Sequence, residues 1–322
     1  MESGSNGGRD RLLARYRTER KIGEGAFGAV FRARDLQTGE LVAVKRVRLR
    51  DTRNLPVNAL RELSVLRRLE HPNVLALLDV RTDGASLALV TPFLPASLAA
   101  VLQQRDMPLP EAHGRAYARM LLYGLAAVHA ERLVHRDIKP ANLLIAADGR
   151  LQIADFGQAR LLPDDGGSLS HAVATRWYRA PELLFGSRRY GAAVDLWAVG
   201  CVIAQMLRLD PILPGESDID QIFVVATLLG TPTEVRWPGV SAMPDYGKIE
   251  IPELEPARLE EYLPGASAAA VALVRKLLVY DPAARPTAIG LLHEPDEWLG
   301  SLPLTPQHEL LRGFEPDDKI VG

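Results

Sequence analysis

Three polar side chains near the middle of the chain, Asp137, Asn142 and Asp155, are spaced so that one hairpin would bring them together. Two apolar runs within residues 142–154 flank an Asp148-Gly149 turn, a pattern typical of a short β-hairpin. The polar loop that holds Asp137 leads into this hairpin and Asp155 leaves it, so the three side chains are expected at one end. A carboxylate can accept the proton of a hydroxyl, and carboxylate and amide oxygens can hold Mg²⁺ on phosphates. The segment therefore indicates phosphoryl-transfer chemistry.

A glycine-rich stretch near the start of the chain has the spacing of a phosphate-binding loop. Gly23, Gly25 and Gly28 follow the G-x-G-x-x-G-x-V pattern, which also occurs in dinucleotide-binding folds. A dinucleotide fold would begin a helix here, whereas residues 29–34 alternate like a strand and residues 41–47 resume as another strand. The pattern favours a glycine-rich hairpin whose backbone amides approach phosphates, because no side chains intervene. The alternative is a turn that is merely flexible.

Lys45 and Glu62 are expected to form an ion pair beside the phosphates that the glycine-rich hairpin would bind. Glu62 falls on the apolar stripe of a helix predicted over residues 55–69, so its carboxylate faces the core. A buried carboxylate requires a cation, and Lys45 on the preceding strand is the natural candidate. Its ammonium would then orient the α- and β-phosphates. The alternatives are a lysine at a solvated strand edge and a helix rotated so that Glu62 meets water.

Hydrophobic periodicity divides the rest of the chain into two lobes. An apolar run over residues 87–94 passes into a proline-containing linker, which places the boundary at about residue 94. Helical spacing is seen over 111–132, 192–209 and 267–279, and irregular sequence over 155–182 and 230–265. The expected units are a disordered extension (1–15), a small lobe (16–94), a large lobe (95–298) and a C-terminal tail (299–322). Asp195 lies near the start of the helix predicted over 192–209. Its negative charge would interact favourably with the helix dipole, anchor the polar loop that holds Asp137, or do both.

Composition and charge exclude several classes of protein. The 322 residues are 47% hydrophobic and 24% charged, which is ordinary for a globular protein with a sizeable core. The net charge of −2 gives no electrostatic reason to expect nucleic-acid or membrane partners. One cysteine, Cys201, excludes an internal disulfide and fits a reducing compartment. With no apolar run of membrane-spanning length and no signal peptide, the expected location is the cytoplasm or the nucleus.

Taken together, residues 16–298 resemble a eukaryotic protein kinase of the cyclin-dependent class. The glycine-rich hairpin, Val42-Ala43-Val44-Lys45, the 134–145 loop, Asp155-Phe156-Gly157 and Ala180-Pro181-Glu182 occur in the order and at the intervals of that family. The resemblance implies an α+β, two-lobed fold with a small, mainly antiparallel β lobe carrying one helix and a larger, mainly helical lobe. ATP and Mg²⁺ would bind between the lobes.

The resemblance also implies a role for each site residue. Asp137 would be the catalytic base, Asn142 and Asp155 the Mg²⁺ ligands, and Lys139 a contact to the transferring phosphate, as in serine/threonine kinases. Ile22, Val30, Ala43 and Leu144 would sandwich the adenine, while the backbone at Pro92 and Leu94 would bind its edge. Glu182 and Arg285 resemble the buried ion pair that ties the activation segment to the large lobe.

Finer features resemble particular members of the class. Residues 56–62 resemble the helix that binds a cyclin, so a cyclin or cyclin-like subunit is expected at helix 55–69. Residues 175–179 resemble the segment that favours proline after the phosphoacceptor, so the expected substrates are proteins with Ser or Thr followed by Pro. Among branches, the chain is most similar to the cell-cycle-related kinase, with the kinase that activates other cyclin-dependent kinases second. The first branch implies a role in cell-cycle or ciliary signalling and a location in the cilium or flagellum.

The sequence departs from the family at several positions. Ser170 stands where the activating phosphothreonine usually lies, and as a phosphoserine it would pair with Arg61, Arg136 and Arg160; the alternative is an ordinary exposed serine. Other departures are Ala26 and Phe27 in place of an inhibitory Thr-Tyr pair, Thr91 at the gate of the pocket, Ser97 in place of a ribose-binding aspartate, and Gln158 after Asp-Phe-Gly. Thr91 is expected to leave the back of the pocket roomier, and the missing Thr-Tyr pair to remove that inhibitory switch.

An active kinase is favoured over two rival hypotheses. A catalytically silent pseudokinase or scaffold would typically lack one of Lys45, Asp137, Asn142 or Asp155, and this chain keeps all four. A dinucleotide-dependent enzyme is inconsistent with the strand pattern after Gly28. The expected reaction is therefore transfer of the γ-phosphoryl of ATP to Ser or Thr.

Overall fold

The computed structural model describes residues 15–25, 28–48, 56–83, 86–163, 167–171, 173–293 and 297–300. The expectations for Ala26, Phe27, almost all of the N-terminal extension and nearly the whole tail fall outside these residues. Within the described part of the chain, no helix combines the length and the apolar character needed to cross a membrane.

The first lobe is a five-stranded antiparallel sheet with one helix against it. The strand order is β1-β2-β3-β5-β4, formed by β1 (Tyr16–Gly25), β2 (Gly28–Asp35), β3 (Leu41–Arg48), β4 (Asp79–Asp83) and β5 (Ser86–Pro92). On β3, Val42, Val44 and Val47 are buried, which gives this strand its core-facing side. The glycine-rich stretch forms the β1–β2 hairpin, with Gly25 opposite Gly28. No helix begins after Gly28, so the dinucleotide-binding alternative is wrong.

Helix α1 (Val57–Leu66), the one helix among the described residues of this lobe, is shorter than the predicted span of 55–69. It begins after Pro56, whose fixed φ suits a helix start, and it ends where Arg67 enters a turn. The amides of Arg68 and Leu69 both bond to the Val65 carbonyl, which tightens the last turn. Leu69 is still buried, so the apolar stripe continues beyond the helix. The predicted face is the observed one, with Glu62 among the buried residues.

The second lobe is mainly helical and is built around two long helices. Its helices are α2 (Leu98–Gln103), α3 (Glu111–Ala130), α4 (Pro181–Leu184), α5 (Ala193–Arg208), α6 (Asp218–Leu229), α7 (Leu259–Tyr262), α8 (Ala268–Leu277), α9 (Ala288–His293) and α10 (Glu297–Gly300). Almost every residue of α5 is buried, as its apolar sequence predicts. Gly200 allows α8 to approach closely, because a Cβ there would lie 2.9 Å from the Leu277 Cβ atom. The small strands of this lobe are β6 (Ala96–Ser97), β7 (Leu133–Val134), β8 (Leu143–Ile145), β9 (Leu151–Ile153) and β10 (Arg160–Leu161).

The predicted central hairpin is confirmed. Strands β8 and β9 pair antiparallel, with Leu144 opposite Gln152, and Gly149 turns between them at a φ of +86°. Backbone bonds from Leu75 to the Ile153 carbonyl and from Ile153 to the Asn73 carbonyl tie the hairpin to the connection that follows α1. The hairpin is therefore rigidly placed between the two lobes. Residues 230–265 are irregular, as expected, and carry two short 3-10 helices and α7.

Candidate active site

A cleft of about 330 Å³ lies between the lobes. Its walls include the four side chains predicted to contact adenine, the two residues predicted to bind its edge and the predicted gate residue: Ile22, Val30, Ala43 and Leu144, then Pro92 and Leu94, then Thr91. Gly28 also lines the cleft, and a Cβ at this position would lie 1.9 Å from the Arg46 carbonyl oxygen, so only glycine fits. Gly23, in contrast, lies on β1 opposite Val30 and does not line the cleft, while Gly25 lies opposite Gly28.

Lys45 and Glu62 form an ion pair on the wall of the cleft, with Nζ 2.7 Å from Oε2. Lys45 Nζ also lies 3.4 Å from Asp155 Oδ1, so this ammonium contacts both its predicted partner and one of the predicted Mg²⁺ ligands. Burial works against the charged lysine, but the charges of Glu62 and Asp155 outweigh it and raise the pKa of Lys45. The ammonium is thus held in its charged form at the position where phosphates would need it.

Asp137 lies at the centre of a hydrogen-bond network in the loop that leads into β8. Its Oδ1 accepts hydrogen bonds from the backbone N and the Oγ1 of Thr175, each 3.0 Å long. Its Oδ2 lies 3.0 Å from Lys139 Nζ and 3.0 Å from Asn142 Nδ2. Lys139 Nζ also donates to Thr175 Oγ1 over 2.8 Å. The four side chains form one closed network around the side chain of Asp137, which is 12% exposed.

Asp195 anchors the loop that contains His135 and Arg136, as one of the two predictions for this residue states. Its carboxylate accepts the backbone N–H groups of His135 (2.9 Å) and Arg136 (2.8 Å) and contacts His129 Nε2 at 2.9 Å. It also lies in the first turn of α5, where a negative charge suits the helix dipole, so both interpretations hold. Burial opposes its ionisation, yet these hydrogen bonds and the nearby His129 lower the pKa of the carboxyl.

The predicted metal ligands, Asn142 and Asp155, both line the cleft. Asn142 donates its amide hydrogens to the backbone carbonyl and the carboxylate of Asp137, which leaves its amide oxygen for a ligand. Asp155 has a left-handed backbone (φ +59°). Burial raises the pKa of its carboxyl, but the charges of Lys45 and His135, together with hydrogen bonds from Gly157 and Lys45, lower that pKa overall. Among the described residues, no group of three or more His, Cys, Asp or Glu side chains could form a protein-only metal cage. Two oxygen ligands completed by phosphates and water are the donor set that Mg²⁺ uses in phosphoryl-transfer sites, so the residues fit this ion.

Ser170 lies in the activation segment close to a group of arginines. Arg136 Nη1 lies 3.4 Å from the carbonyl oxygen of exposed Ser170. Burial and the positive charges of Arg160 and Arg136 lower the pKa of Arg61, so these three guanidinium groups interact electrostatically. Tyr190, which the sequence did not single out, accepts from Arg136 Nη1 over 2.7 Å and donates to the Ser170 carbonyl.

Glu182 and Arg285 form the predicted buried pair. The two carboxylate oxygens accept from Nη1 and Nη2, both over 2.8 Å, and the side chains are 2% and 0% exposed. The remaining guanidinium hydrogens reach the backbone carbonyls of Val279, Ala193 and Tyr280. The pair therefore joins α4 to α5 and to the segment that follows α8.

One departure from the family pattern, Ser97, has a local explanation, and two others, Gln158 and Thr91, line the cleft. Buried Ser97 caps the N-terminus of α2, since its Oγ accepts from the Ala100 amide over 3.1 Å. Gln158 lines the cleft, and its carbonyl accepts from Arg136 Nε over 2.8 Å. Thr91 lines the cleft together with Leu89 and Ala59.

Thr175 is the main site residue whose contact the sequence did not predict. For the segment around it, residues 175–179, the sequence predicts only a preference for proline after the phosphoacceptor, through resemblance to the family. Its hydrogen bonds to Asp137 join residues 38 positions apart, so no local pattern could indicate them. The residue type alone, a hydroxyl near the end of the activation segment, is the one weak signal.

Comparisons with known proteins agree with this geometry. The family model described as "Protein kinase domain" matches residues 16–298. Cyclin-dependent kinase 20 of Mus musculus is 48% identical over 278 residues, covering 85% of this chain and 80% of the relative. Cyclin-dependent kinase D-1 of Oryza sativa subsp. indica is 41% identical over 288 residues, covering 89% of this chain and 68% of the relative. A chain in the structure of the CAK complex from Chaetomium thermophilum bound to ATP-γ-S superposes with a TM-score of 0.84 at 35% identity, covering 92% of this chain and 94% of that chain.

Proposed function

Since the chain belongs to the protein kinase family, among the cyclin-dependent kinases, and is a serine/threonine kinase, we propose that Asp137 is its catalytic base and that its substrates carry proline after the phosphoacceptor. The observation that carries this proposal is the network in which Asp137 contacts Lys139, Asn142 and Thr175 at one end of the β8–β9 hairpin. ATP would occupy the cleft above this network.

The proposed mechanism uses groups that are already in place. Asp137 takes the proton of the bound serine or threonine hydroxyl as the hydroxyl oxygen attacks the γ-phosphorus, and the bond from that phosphorus to the β–γ bridging oxygen breaks, which releases ADP. Lys139 and Lys45 place ammonium charges on the transferring and remaining phosphates, which offsets the negative charge that develops there. Asn142 and Asp155 would hold Mg²⁺, which supplies further neutralisation of phosphate charge when it is bound. Asp195 fixes the loop, so that little reorganisation accompanies transfer.

The preference for proline is supported by the backbone at Ala174. Thr175 contacts Asp137, so Ala174 lies beside the residue that follows the phosphoacceptor. Ala174 has a φ of +67°, and its carbonyl oxygen accepts from Arg179 Nη2 over 3.1 Å. The left-handed backbone and this bond direct the carbonyl oxygen at Arg179, so a substrate N–H at this position would be left without an acceptor, which carries a free-energy cost. Proline has no N–H and avoids the cost.

Matched peptides test this preference. We expect kcat/KM for a Ser-Pro peptide to exceed that for the Ser-Ala peptide by about tenfold, the effect of one buried N–H left unpaired. The measurement is initial-rate phosphorylation of both peptides by the purified chain with ATP and Mg²⁺. Equal kcat/KM values for the two peptides would contradict the proposal.

We propose Ser170 as an activating phosphorylation site. Its carbonyl lies within reach of Arg136, and the charges of Arg61 and Arg160 are close enough to favour an added phosphate. A phosphoserine would add about −1.5 to −2 charge and three acceptor oxygens, so that one phosphate could bind several guanidinium groups. The segment before Thr175 would then be held by ionic contacts.

Replacing Ser170 with alanine tests this role. We expect kcat/KM of the kinase prepared in its phosphorylated form to fall by about tenfold, because charge-assisted hydrogen bonds to the arginines are lost. Ser168→Ala, at an exposed serine of the same segment, is the matched control and should keep the wild-type rate. An unchanged rate for Ser170→Ala, with phosphate confirmed on Ser170 of the wild type, would remove this residue from the mechanism.

We also propose that a cyclin or cyclin-like subunit binds at α1. Support comes from its outward face, where Val57 and Leu60 are 58% and 40% exposed on a helix whose other side buries Glu62. A partner that covers these side chains would hold Glu62 against Lys45. We propose, from the resemblance of the sequence to the cell-cycle-related kinase branch, a role in cell-cycle or ciliary signalling and a location in the cytoplasm, nucleus or cilium. The identity of 48% to cyclin-dependent kinase 20, against 41% to cyclin-dependent kinase D-1, supports the choice of branch.

A further inference from the structure

The start of α6 is joined to the end of the activation segment by a set of polar contacts. Asp218, in the first turn of α6, accepts from Arg176 Nε over 2.9 Å and lies 3.0 Å from Arg179 Nη1. Arg176 Nη1 donates to the Glu216 carbonyl over 2.9 Å, and Trp177 Nε1 donates to the Gly215 carbonyl over 3.0 Å. One carboxylate thus bridges two arginines of a segment about 40 residues earlier in the chain.

Arg179 donates hydrogen bonds to the backbone beside the proposed substrate site. Arg179 Nε donates to the Val173 carbonyl over 2.9 Å, and Nη2 donates to the Ala174 carbonyl over 3.1 Å. Its third nitrogen, Nη1, is the atom that contacts Asp218. The planar guanidinium is therefore held on three sides, and its orientation depends on all three partners.

We propose that Asp218 is a positioning residue for substrate specificity, because it holds Arg179 in the orientation that occupies the Ala174 carbonyl. This inference deepens the proposed preference for proline and rests on it. No carboxylate of the segment itself contacts Arg179 among the described ion pairs, so the anion comes from α6. Asp218 acts through Arg179 and does not touch the substrate.

Removal of the Asp218 carboxylate would leave two arginines without their shared anion. Arg176 and Arg179 both reach Asp218, so without its charge the two guanidinium groups repel each other. The contact between Arg179 Nη2 and the Ala174 carbonyl is then held less firmly, because Arg179 has lost its ionic partner. Ala174 has a left-handed φ, which is unfavourable for a non-glycine residue and persists only while its surroundings hold it. A released carbonyl can turn toward the substrate and accept the N–H of a residue other than proline.

The test compares kcat/KM for the Ser-Pro and Ser-Ala peptides in Asp218→Asn and wild type. We expect the Ser-Pro to Ser-Ala ratio to fall by about threefold in Asp218→Asn, the size of effect that an exposed ion pair allows, mainly because the Ser-Ala value rises. Asp218→Glu keeps the charge and should restore most of the ratio. Glu260→Gln removes an exposed arginine–carboxylate pair with Arg275 of similar length (2.8 Å) elsewhere in the lobe, and should leave the ratio unchanged.

Each outcome separates the role of Asp218 from the proposed function. A wild-type preference for Ser-Pro that Asp218→Asn leaves unchanged would overturn the role of Asp218 alone. An equal loss of rate on both peptides would also overturn it, because a merely structural residue would behave in that way. Equal wild-type values for the two peptides would overturn the proposed preference itself, and the role of Asp218 with it.

Discussion

Asp137→Asn is expected to lower kcat for phosphoryl transfer by a factor of about 10² to 10⁴ while the Kd for ATP stays near that of the wild type. Asparagine has nearly the same shape as aspartate, so it can still accept from Thr175. It cannot take the proton of the substrate hydroxyl, and it no longer carries the charge that faces Lys139. The cleft residues that would hold adenine are untouched. The measurement is kcat from initial rates, with Kd for ATP from a binding titration.

Asp148→Asn is the matched control for this experiment. Asp148 is an exposed aspartate in the turn of the β8–β9 hairpin, where it pairs with Arg150 over 2.7 Å. The same chemical change at the other end of the same hairpin should leave kcat close to the wild-type value. If Asp137→Asn turns over as fast as the control, Asp137 is not the base, and the assignment of the catalytic loop is wrong.

Arg285→Leu is expected to lower the free energy of unfolding by about 3–5 kcal/mol, because it leaves the Glu182 carboxylate buried without its cation. Glu182 is 2% exposed as a residue and receives two hydrogen bonds from Arg285, so water cannot replace the lost partner without opening the lobe. Three backbone carbonyls also lose their donor. The measurement is urea unfolding followed by tryptophan fluorescence.

Arg275→Leu provides the comparison for this effect. Arg275 pairs with Glu260 at 2.8 Å, but the two side chains are 55% and 51% exposed. Loss of such a pair should change the free energy of unfolding by less than about 1 kcal/mol. Equal urea midpoints for Arg285→Leu and Arg275→Leu would show that the buried pair does not hold the helical lobe together.

Much of the site follows from local patterns in the sequence. The Asp148-Gly149 turn between apolar runs predicts the hairpin, and the hairpin carries Asp137, Asn142 and Asp155 to one end. The apolar stripe of α1 predicts that Glu62 is buried. A buried carboxylate requires a nearby cation, and Lys45 provides it. These inferences need only neighbouring residues and the chemistry of their side chains. The end of α1 was missed, because Arg67 gives no sign that the helix stops there.

The contacts that complete the site could not be predicted in this way. Thr175 reaches Asp137 across 38 residues and Tyr190 reaches Arg136 across 54, so their partners are determined by how the lobe packs. Nothing in residues 215–218 indicates that Asp218 would face Arg179 rather than solvent. These contacts depend on the path of the activation segment, whose sequence has no regular period.

Backbone strain at the site also could not be predicted from the sequence. Arg136, Asp155 and Ala174 have φ values of +67°, +59° and +67°, although none of them is glycine. Each is held by contacts from elsewhere: Asp195 accepts the Arg136 amide, Lys45 contacts Asp155, and Arg179 binds the Ala174 carbonyl. Such conformations persist only where surrounding structure determines them, which is common at catalytic and binding sites.

Transfer of the γ-phosphoryl of ATP to serine or threonine through Asp137 is the activity on which the proposed function depends. It can be measured as transfer of label from γ-labelled ATP to a serine peptide by the purified chain with Ser170 phosphorylated, beside Asp137→Asn. We predict rapid labelling by the wild type with Mg²⁺, loss of labelling when Mg²⁺ is chelated, and at most about a hundredth of the wild-type rate in the variant. Binding of ATP by the wild type without any transfer of label would contradict this mechanism and would identify the chain as a scaffold.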